Sequence, residues 1–318
     1  MKIVVIGATG HVGGYLIPRL VAAGHEVVAL SRGTSERYRD DPAWEKVELV
    51  TADREAEDAA GTFGARIASL EADVVIDMIC FTPESARQLV DAIRGRSRLV
   101  MCSTIWVYGT LTAVPATEDD AASSPPWGGY GTGKAAIEAL LREEGENGFP
   151  SQVLRPGHIS GPGWKVINPQ ANLDLGVWEK LASGETLTLP NFGLETVHHV
   201  HADDVAQAFA AAVEVGRPER TEFYNIVSDR ALTLRGFAEA VASWFGRKAS
   251  IEYAPFDEFR TRVAAADART TEEHVARSHS MSIRKARDEL GYAPAYTSLE
   301  AVREAVDQLR AVGLIRVP

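Results

Sequence analysis

The sequence predicts an α/β protein, a doubly wound parallel sheet with a smaller C-terminal lobe. Three observations predict it. Short apolar runs alternate with amphipathic stretches through the first half of the 318 residues. The runs are apolar nearly throughout, as strands covered on both faces are. A glycine-rich turn follows the first run directly. Such a βαβα rhythm requires parallel strands joined by right-handed crossovers.

Strands are expected over 2–6, 26–30, 47–51, 73–79, 98–103 and 152–154, and helices over 11–23, 55–70, 84–93 and 130–144. Gly24 suits the position that closes the first helix. The stretch 112–129 is a polar, Pro-rich loop of a length usually kept for function. After Pro156 the rhythm breaks, and glycines and prolines recur up to Gly193. An amphipathic helix facing the core is expected over 302–309. The organisation expected is a first domain over 1–160, with 196–226 returning to it, and a lobe built from 161–195 and 227–318.

A net charge of -11 argues against a broad nucleic-acid surface, which needs clustered Lys and Arg to displace counterions. Cys80 and Cys102 each sit in an apolar run and read as buried, reduced thiols. The chain enters a strand at its second residue, leaving no room for a signal peptide. No apolar run reaches the roughly eighteen residues a membrane span needs. A cytoplasmic protein is expected.

The first turn reads Gly7-Ala8-Thr9-Gly10-His11-Val12-Gly13. Gly7 permits the tight turn, Gly10 lets the backbone approach a pyrophosphate, and Gly13 lets helix and strand pack closely. The helix N-terminus then faces the phosphates with free N–H groups and a favourable dipole. Dinucleotide binding follows, through Gly7, Thr9, Gly10, His11, Val12 and Gly13. The next strand ends Leu30-Ser31-Arg32, without the acid that bonds an adenosine ribose 2′-hydroxyl. Ser31 and Arg32 suit a 2′-phosphate, so NADP(H) is expected in preference to NAD(H).

Residues 128–136, GGYGTGKAA, satisfy two spacings. Gly128, Gly133 and Lys134 fit G-x-x-x-x-G-K, but a phosphate loop needs Ser or Thr at 135 and a strand leading in. Ala135 and Ser123-Ser124-Pro125-Pro126 provide neither. Tyr130 and Lys134 fit Y-x-x-x-K, two side chains on one helix face. A phenol titrates near 10 and needs a nearby cation to act as a base at neutral pH; Lys134 can supply it. Gly131 and Gly133 cost such a helix about 1 kcal/mol each, for no reason visible in the sequence.

The chain resembles the extended short-chain dehydrogenase/reductase family, also called the NAD-dependent epimerase/dehydratase family. The glycine turn carries the likeness, with 103–109 (STIWVYG), 130–134 (YGTGK), 155–163 (RPGHISGPG), 201–206 (HADDVA) and 286–294 (ARDELGYAP). The resemblance implies a Rossmann fold, with Tyr130 as general acid/base, Thr104 orienting the reacting oxygen, and Lys134 tuning Tyr130 while bonding the cofactor ribose. It implies that Asp53 contacts the adenine and that the C-terminal lobe takes a small-molecule substrate. Homodimers are common among such relatives.

Two departures narrow the chemistry implied. Ile105 and Trp106 stand where the family's dehydratases carry Asp-Glu, which disfavours sugar dehydration. His158 replaces an Asn that helps hold a nucleotide-sugar. Trp106, His158 and His201 are candidate substrate contacts. His199 and His201, two apart on a strand, can share a metal, but the resemblance makes this segment ordinary structure, with Asp203 or Asp204 capping a helix, and no metal is expected. Trp127, Trp164 and Trp178 are candidates for pocket walls or packing. The expected function is an oxidoreductase or epimerase acting on a hydroxyl or keto carbon, of a sugar or nucleotide-sugar. The alternatives are reduction of a non-sugar ketone with NADPH, and a non-catalytic, regulatory or RNA-binding relative.

Overall fold

The computed structural model describes residues 1–34 and 37–317. Its central sheet contains β1 (Lys2–Ile6), β2 (Glu26–Ser31), β3 (Glu48–Thr51), β4 (Val74–Asp77), β5 (Arg98–Cys102), β6 (Gln152–Pro156) and a last strand, Glu222–Ile226. Their spatial order is 3-2-1-4-5-6, with Glu222–Ile226 outside β6. Every neighbouring pair is parallel. This is a doubly wound Rossmann sheet, and its order reverses between β1 and β4.

Alternate residues of each strand feed different cores, as the two-residue period requires. Ile3 and Val5 point with Val27, Ala29 and Val100 towards α1 (Gly13–Ala22) and the helix Ala202–Glu214. Val4 and Ile6 point with Val28, Val75 and Met101 towards the opposite face. That face is covered by α3 (Phe63–Ser69), α4 (Pro83–Ile93) and α5 (Gly128–Glu146). A continuous apolar pattern therefore reflects helices on both sides.

The helix expected over 55–70 is two helices, α2 (Arg54–Ala59) and α3. Gly61 separates them at φ +70, a conformation that ends a helix at no steric cost. The strand expected over 73–79 stops at Asp77, where the chain turns into the crevice. The C-terminal lobe has its own core of Trp178, Leu187, Phe237, Val241 and Val306. The expected terminal helix runs Ser298–Ala311, opened by a capping box of Thr297 and Glu300, and it turns Val302 and Val306 inwards.

The long loop before α5 is tied down rather than loose. Ala116 donates its N–H to Ser280 O at 2.8 Å, and Ser282 N–H returns to Ala116 O at 2.7 Å. This pairing brings the C-terminal lobe against the start of α5. Both cysteines are free. Among the described residues, no helix is long and apolar enough to cross a membrane.

Candidate active site

A cleft of about 670 Å³ opens at the carboxyl edge of the sheet, running from Gly7, Thr9 and Gly10 past Ser31 and Arg32 to Asp53. It lies where the strand order reverses, the place where open α/β sheets take ligands. At Gly7 and Gly13 the turn holding its inner end has no place for a side chain. A Cβ on Gly13 would lie 1.9 Å from Ala8 O, and Gly7 has φ +86. Val12 is buried in the core behind the turn.

His11 donates from Nε2 to Pro162 O at 3.0 Å and stacks on Trp164, with centroids 5.3 Å apart. Burial lowers its pKa to about 4, so it is neutral and brings no charge to the turn. These features fit a dinucleotide whose pyrophosphate rests against backbone N–H groups. Gly13→Val is expected to abolish this fit, because the added side chain meets backbone rather than a movable group. Calorimetric titration with NADPH should show at least a tenfold loss of affinity.

Asp53 caps α2 by accepting from Ala56 N at 3.2 Å, which fixes its carboxylate at the cleft wall. Beneath it lies a network with no sequence signature: Arg54 donates to Asp77 at 2.5 Å and to Ser85 at 3.0 Å. Asp77 is fully buried, and burial of a charge is tolerated only when it is paired in this way.

Tyr130 sits in the first turn of α5, beside the carboxyl end of β5. The residue as a whole is 50% exposed, but its hydroxyl faces Thr104 and Cys102. Burial of that end, with a push from Cys102, raises the phenol to about 12, and the neighbouring Thr104 hydroxyl draws it down. The Thr104 hydroxyl accepts from Trp106 N at 3.2 Å and keeps its own hydrogen to donate. Lys134 is buried one turn further on. Its ammonium donates to Cys102 O at 2.8 Å and lies 5.0 Å from the centre of the Phe81 ring. Burial, Cys102 and Thr104 set the phenol's pKa here, while the Lys134 ammonium is engaged by a backbone carbonyl.

The two glycines flanking Thr132 have a steric cause. A Cβ on Gly131 would lie 2.5 Å from Trp106 O, and one on Gly133 would lie 3.3 Å from Phe81 O. At Gly131 the helix start is pressed against the turn that carries Thr104, and only glycine allows that approach; at Gly133 a side chain would be tight. The competing G-x-x-x-x-G-K spacing falls inside α5 and forms no phosphate loop.

Trp106 and His158 lie near the phenol: the Trp106 ring is 6.5 Å from both the Tyr130 and the His158 rings. His201 lies elsewhere. It stacks on Tyr296 at 3.9 Å, meets Glu304 at 3.2 Å and accepts from Asp203 N at 3.0 Å. The cap of the helix Ala202–Glu214 is thus His201, not Asp203 or Asp204. Those acids pair with Arg19 and with the N–H groups of Ala295 and Tyr296. His199 turns instead to Ser160 and Phe237, so the two imidazoles do not converge. Among the described residues, no group of three or more His, Cys, Asp or Glu is placed to hold a metal ion. Of the tryptophans, Trp178 is core, whereas Trp127 and Trp164 are partly exposed.

A Rossmann sheet with a glycine turn at the point where its strand order reverses defines a dinucleotide-binding fold. Residues 3–226 match the NAD dependent epimerase/dehydratase family, and the chain belongs to that enzyme family. It is 30% identical over 249 residues to the 2′-dehydrokanamycin reductase of Streptomyces kanamyceticus, covering 78% of this chain and 67% of that one. It is 26% identical over 316 residues to the chloroplast stem-loop binding protein of 41 kDa b of Arabidopsis thaliana, covering 96% and 78%. The fold is shared with the UDP-glucose 4-epimerase of Thermotoga maritima, with a TM-score of 0.71 and 20% identity over 98% of this chain and 99% of that one.

Proposed function

We propose that the protein is an NAD(P)-dependent oxidoreductase or epimerase acting on a hydroxyl or keto carbon of a sugar-like metabolite. One observation carries the reading: the Tyr130 phenol lies beside Thr104, with Lys134 buried one helical turn away against Phe81, which lines the dinucleotide cleft. The nicotinamide, when bound, supplies or accepts hydride. With its pKa about 12, the Tyr130 phenol is protonated at neutral pH and is set to give a proton to a keto oxygen, which Thr104 orients. Lys134, buried and close to Phe81, is placed to bond the cofactor ribose. In the reverse direction the phenol must lose its proton, and cationic charge near the ring favours that. Residues 161–195 and 227–318 form the lobe that selects the substrate.

The test is a panel of keto sugars, nucleotide-bound and free, followed as loss of NADPH absorbance. Turnover of at least one, absent with every member of the panel when Tyr130 is changed, supports the reading; equal turnover by both proteins sinks it. Cofactor retained by the purified protein favours epimerisation, in which the keto intermediate is re-reduced in place.

NADP(H) is the cofactor we propose, because Ser31 and Arg32 line the cleft where β2 ends. A charge-assisted hydrogen bond contributes about 1.5–3 kcal/mol, or roughly 10- to 100-fold in affinity. Arg32→Ala is expected to weaken NADPH by that factor and leave NADH unchanged. Equal losses for both cofactors would reject the assignment. A stem-loop-binding role, as named for the Arabidopsis relative, is opposed by the charge of -11.

A further inference from the structure

Beyond the phenol, the Trp106 indole is surrounded by polar groups that the proposed chemistry does not use. His274 lies edge-on at 5.1 Å, and the Arg277 guanidinium lies over the ring at 3.9 Å. His158 and His274 are 4.7 Å apart, and His199 is 5.6 Å from His158. Arg277 and His274 come from the helix Ala265–Arg277, and both are nearly fully buried.

The hydrogen-bond roles of these imidazoles are fixed by their partners. His158 Nδ1 meets His198 O at 3.1 Å, and His274 Nδ1 meets Thr270 O at 2.6 Å. A carbonyl only accepts, so each Nδ1 carries the hydrogen and each Nε2 is a bare acceptor. The Ser160 hydroxyl donates to His158 O, so it accepts from His199 Nδ1 at 3.0 Å and fixes that ring in the same tautomer. Burial lowers His158 to about 4 and His274 to about 3, and holds His199 well below the usual imidazole range. The rings are therefore neutral. All three Nε2 atoms, with Arg277 Nε and Nη1, are buried without a hydrogen-bond partner among the described residues. Arg277 keeps only a 3.4 Å bond from Nη2 to Trp127 O and a 3.9 Å approach to the half-exposed Glu273.

Five buried polar atoms without protein partners within one cluster call for ordered water or a ligand to satisfy them. We infer that His158, His199, His274 and Arg277 form the specificity subsite for a polyhydroxylated substrate carrying an oxyanion, a carboxylate or a phosphate. Ligand hydroxyls donate to the imidazole lone pairs. The oxyanion, which those lone pairs repel, goes to the guanidinium fork, whose geometry suits such groups. A protonated amine is disfavoured beside Arg277. Trp106 neighbours both Arg277, at 3.9 Å, and the Tyr130 ring, at 6.5 Å, so a sugar anchored at Arg277 can extend to the phenol. The inference rests on the proposed catalytic role of Tyr130 for its orientation, but not for its affinity.

Calorimetry on the NADPH-loaded protein tests it with four probes: glucuronate, glucose 1-phosphate, glucose and glucosamine. The expected result is binding of one or both anionic probes about tenfold or more tighter than glucose, with glucosamine weakest; the tighter anion identifies the oxyanion. Arg277→Gln should erase the preference, and Arg277→Lys should restore part of it. His274→Phe keeps the ring's shape and should weaken all the hydroxylated probes without changing their order. Tyr130→Phe should keep the wild-type order of the four probes, so a catalytic reading that fails in turnover assays leaves this result standing. No binding of either anionic probe, a preference for glucose or glucosamine, or an unchanged preference in Arg277→Gln that still binds NADPH overturns the inference.

Discussion

Tyr130→Phe is expected to lower turnover of a keto substrate by about 10²- to 10⁴-fold, the range for removing a positioned acid or base. NADPH affinity should stay within a factor of about two, because the cradle around Gly13 does not involve the phenol. Removing one oxygen leaves the ring and its edge-on contact with Trp106 intact, so the loss reports proton transfer rather than packing. Thr104→Val should cause a smaller loss, since it removes the donor that draws the phenol's pKa down without removing the proton. Steady-state rates of the three proteins, with cofactor affinities from calorimetry, check both statements. Equal rates for wild type and Tyr130→Phe would remove the phenol from the mechanism.

The largest structural effect is expected at Glu138, on α5 one turn beyond Lys134. Arg155, with no solvent exposure, donates to Glu138 at 3.0 and 2.7 Å, and Ser103 donates to the same carboxylate at 2.6 Å. The remaining guanidinium nitrogen reaches Tyr108 and Glu118 O. The network ties α5 to β6 and to the turn bearing Thr104, and so sets the distance between phenol and hydroxyl. Glu138→Gln leaves a buried cation uncompensated, at a cost of about 3–5 kcal/mol. Urea unfolding should show a lower midpoint with an unchanged slope. The double change Glu138→Leu with Arg155→Met should recover much of the loss, because replacing both partners removes the unpaired charge. A midpoint equal to wild type in Glu138→Gln would show that the pair does not hold the helix.

Periodicity and glycine placement made the sheet legible in the sequence. Strands covered on both faces are apolar throughout, and Gly7 to Gly13 can serve few other purposes between a strand and a helix. The break at Gly61 was harder to see, because the apolar spacing continues across it. The spacing of Tyr130 and Lys134 was legible because a helix turns a four-residue interval into proximity. What spacing cannot show is contact between distant segments. Arg54 with Asp77, and Arg277 with Trp106, meet only through the sheet order and the pairing of Ala116 with the 280–282 segment. Gly131 looked like a defect until the Trp106 carbonyl appeared against it, as Gly133 did until the Phe81 carbonyl appeared. His201 looked available in the sequence but is engaged at both ring nitrogens.

The account's central claim is that the phenol of Tyr130 and the ammonium of Lys134 face a dinucleotide lying in the cleft above Gly13. A crystal structure of the protein with NADPH tests it most directly. The account predicts the pyrophosphate on the Gly7–Gly13 turn, the adenosine end at Arg32 and Asp53, and the nicotinamide ring beside Tyr130 with its ribose on Lys134. A nicotinamide lying away from α5, or a Tyr130 hydroxyl turned out of the cleft, would contradict it.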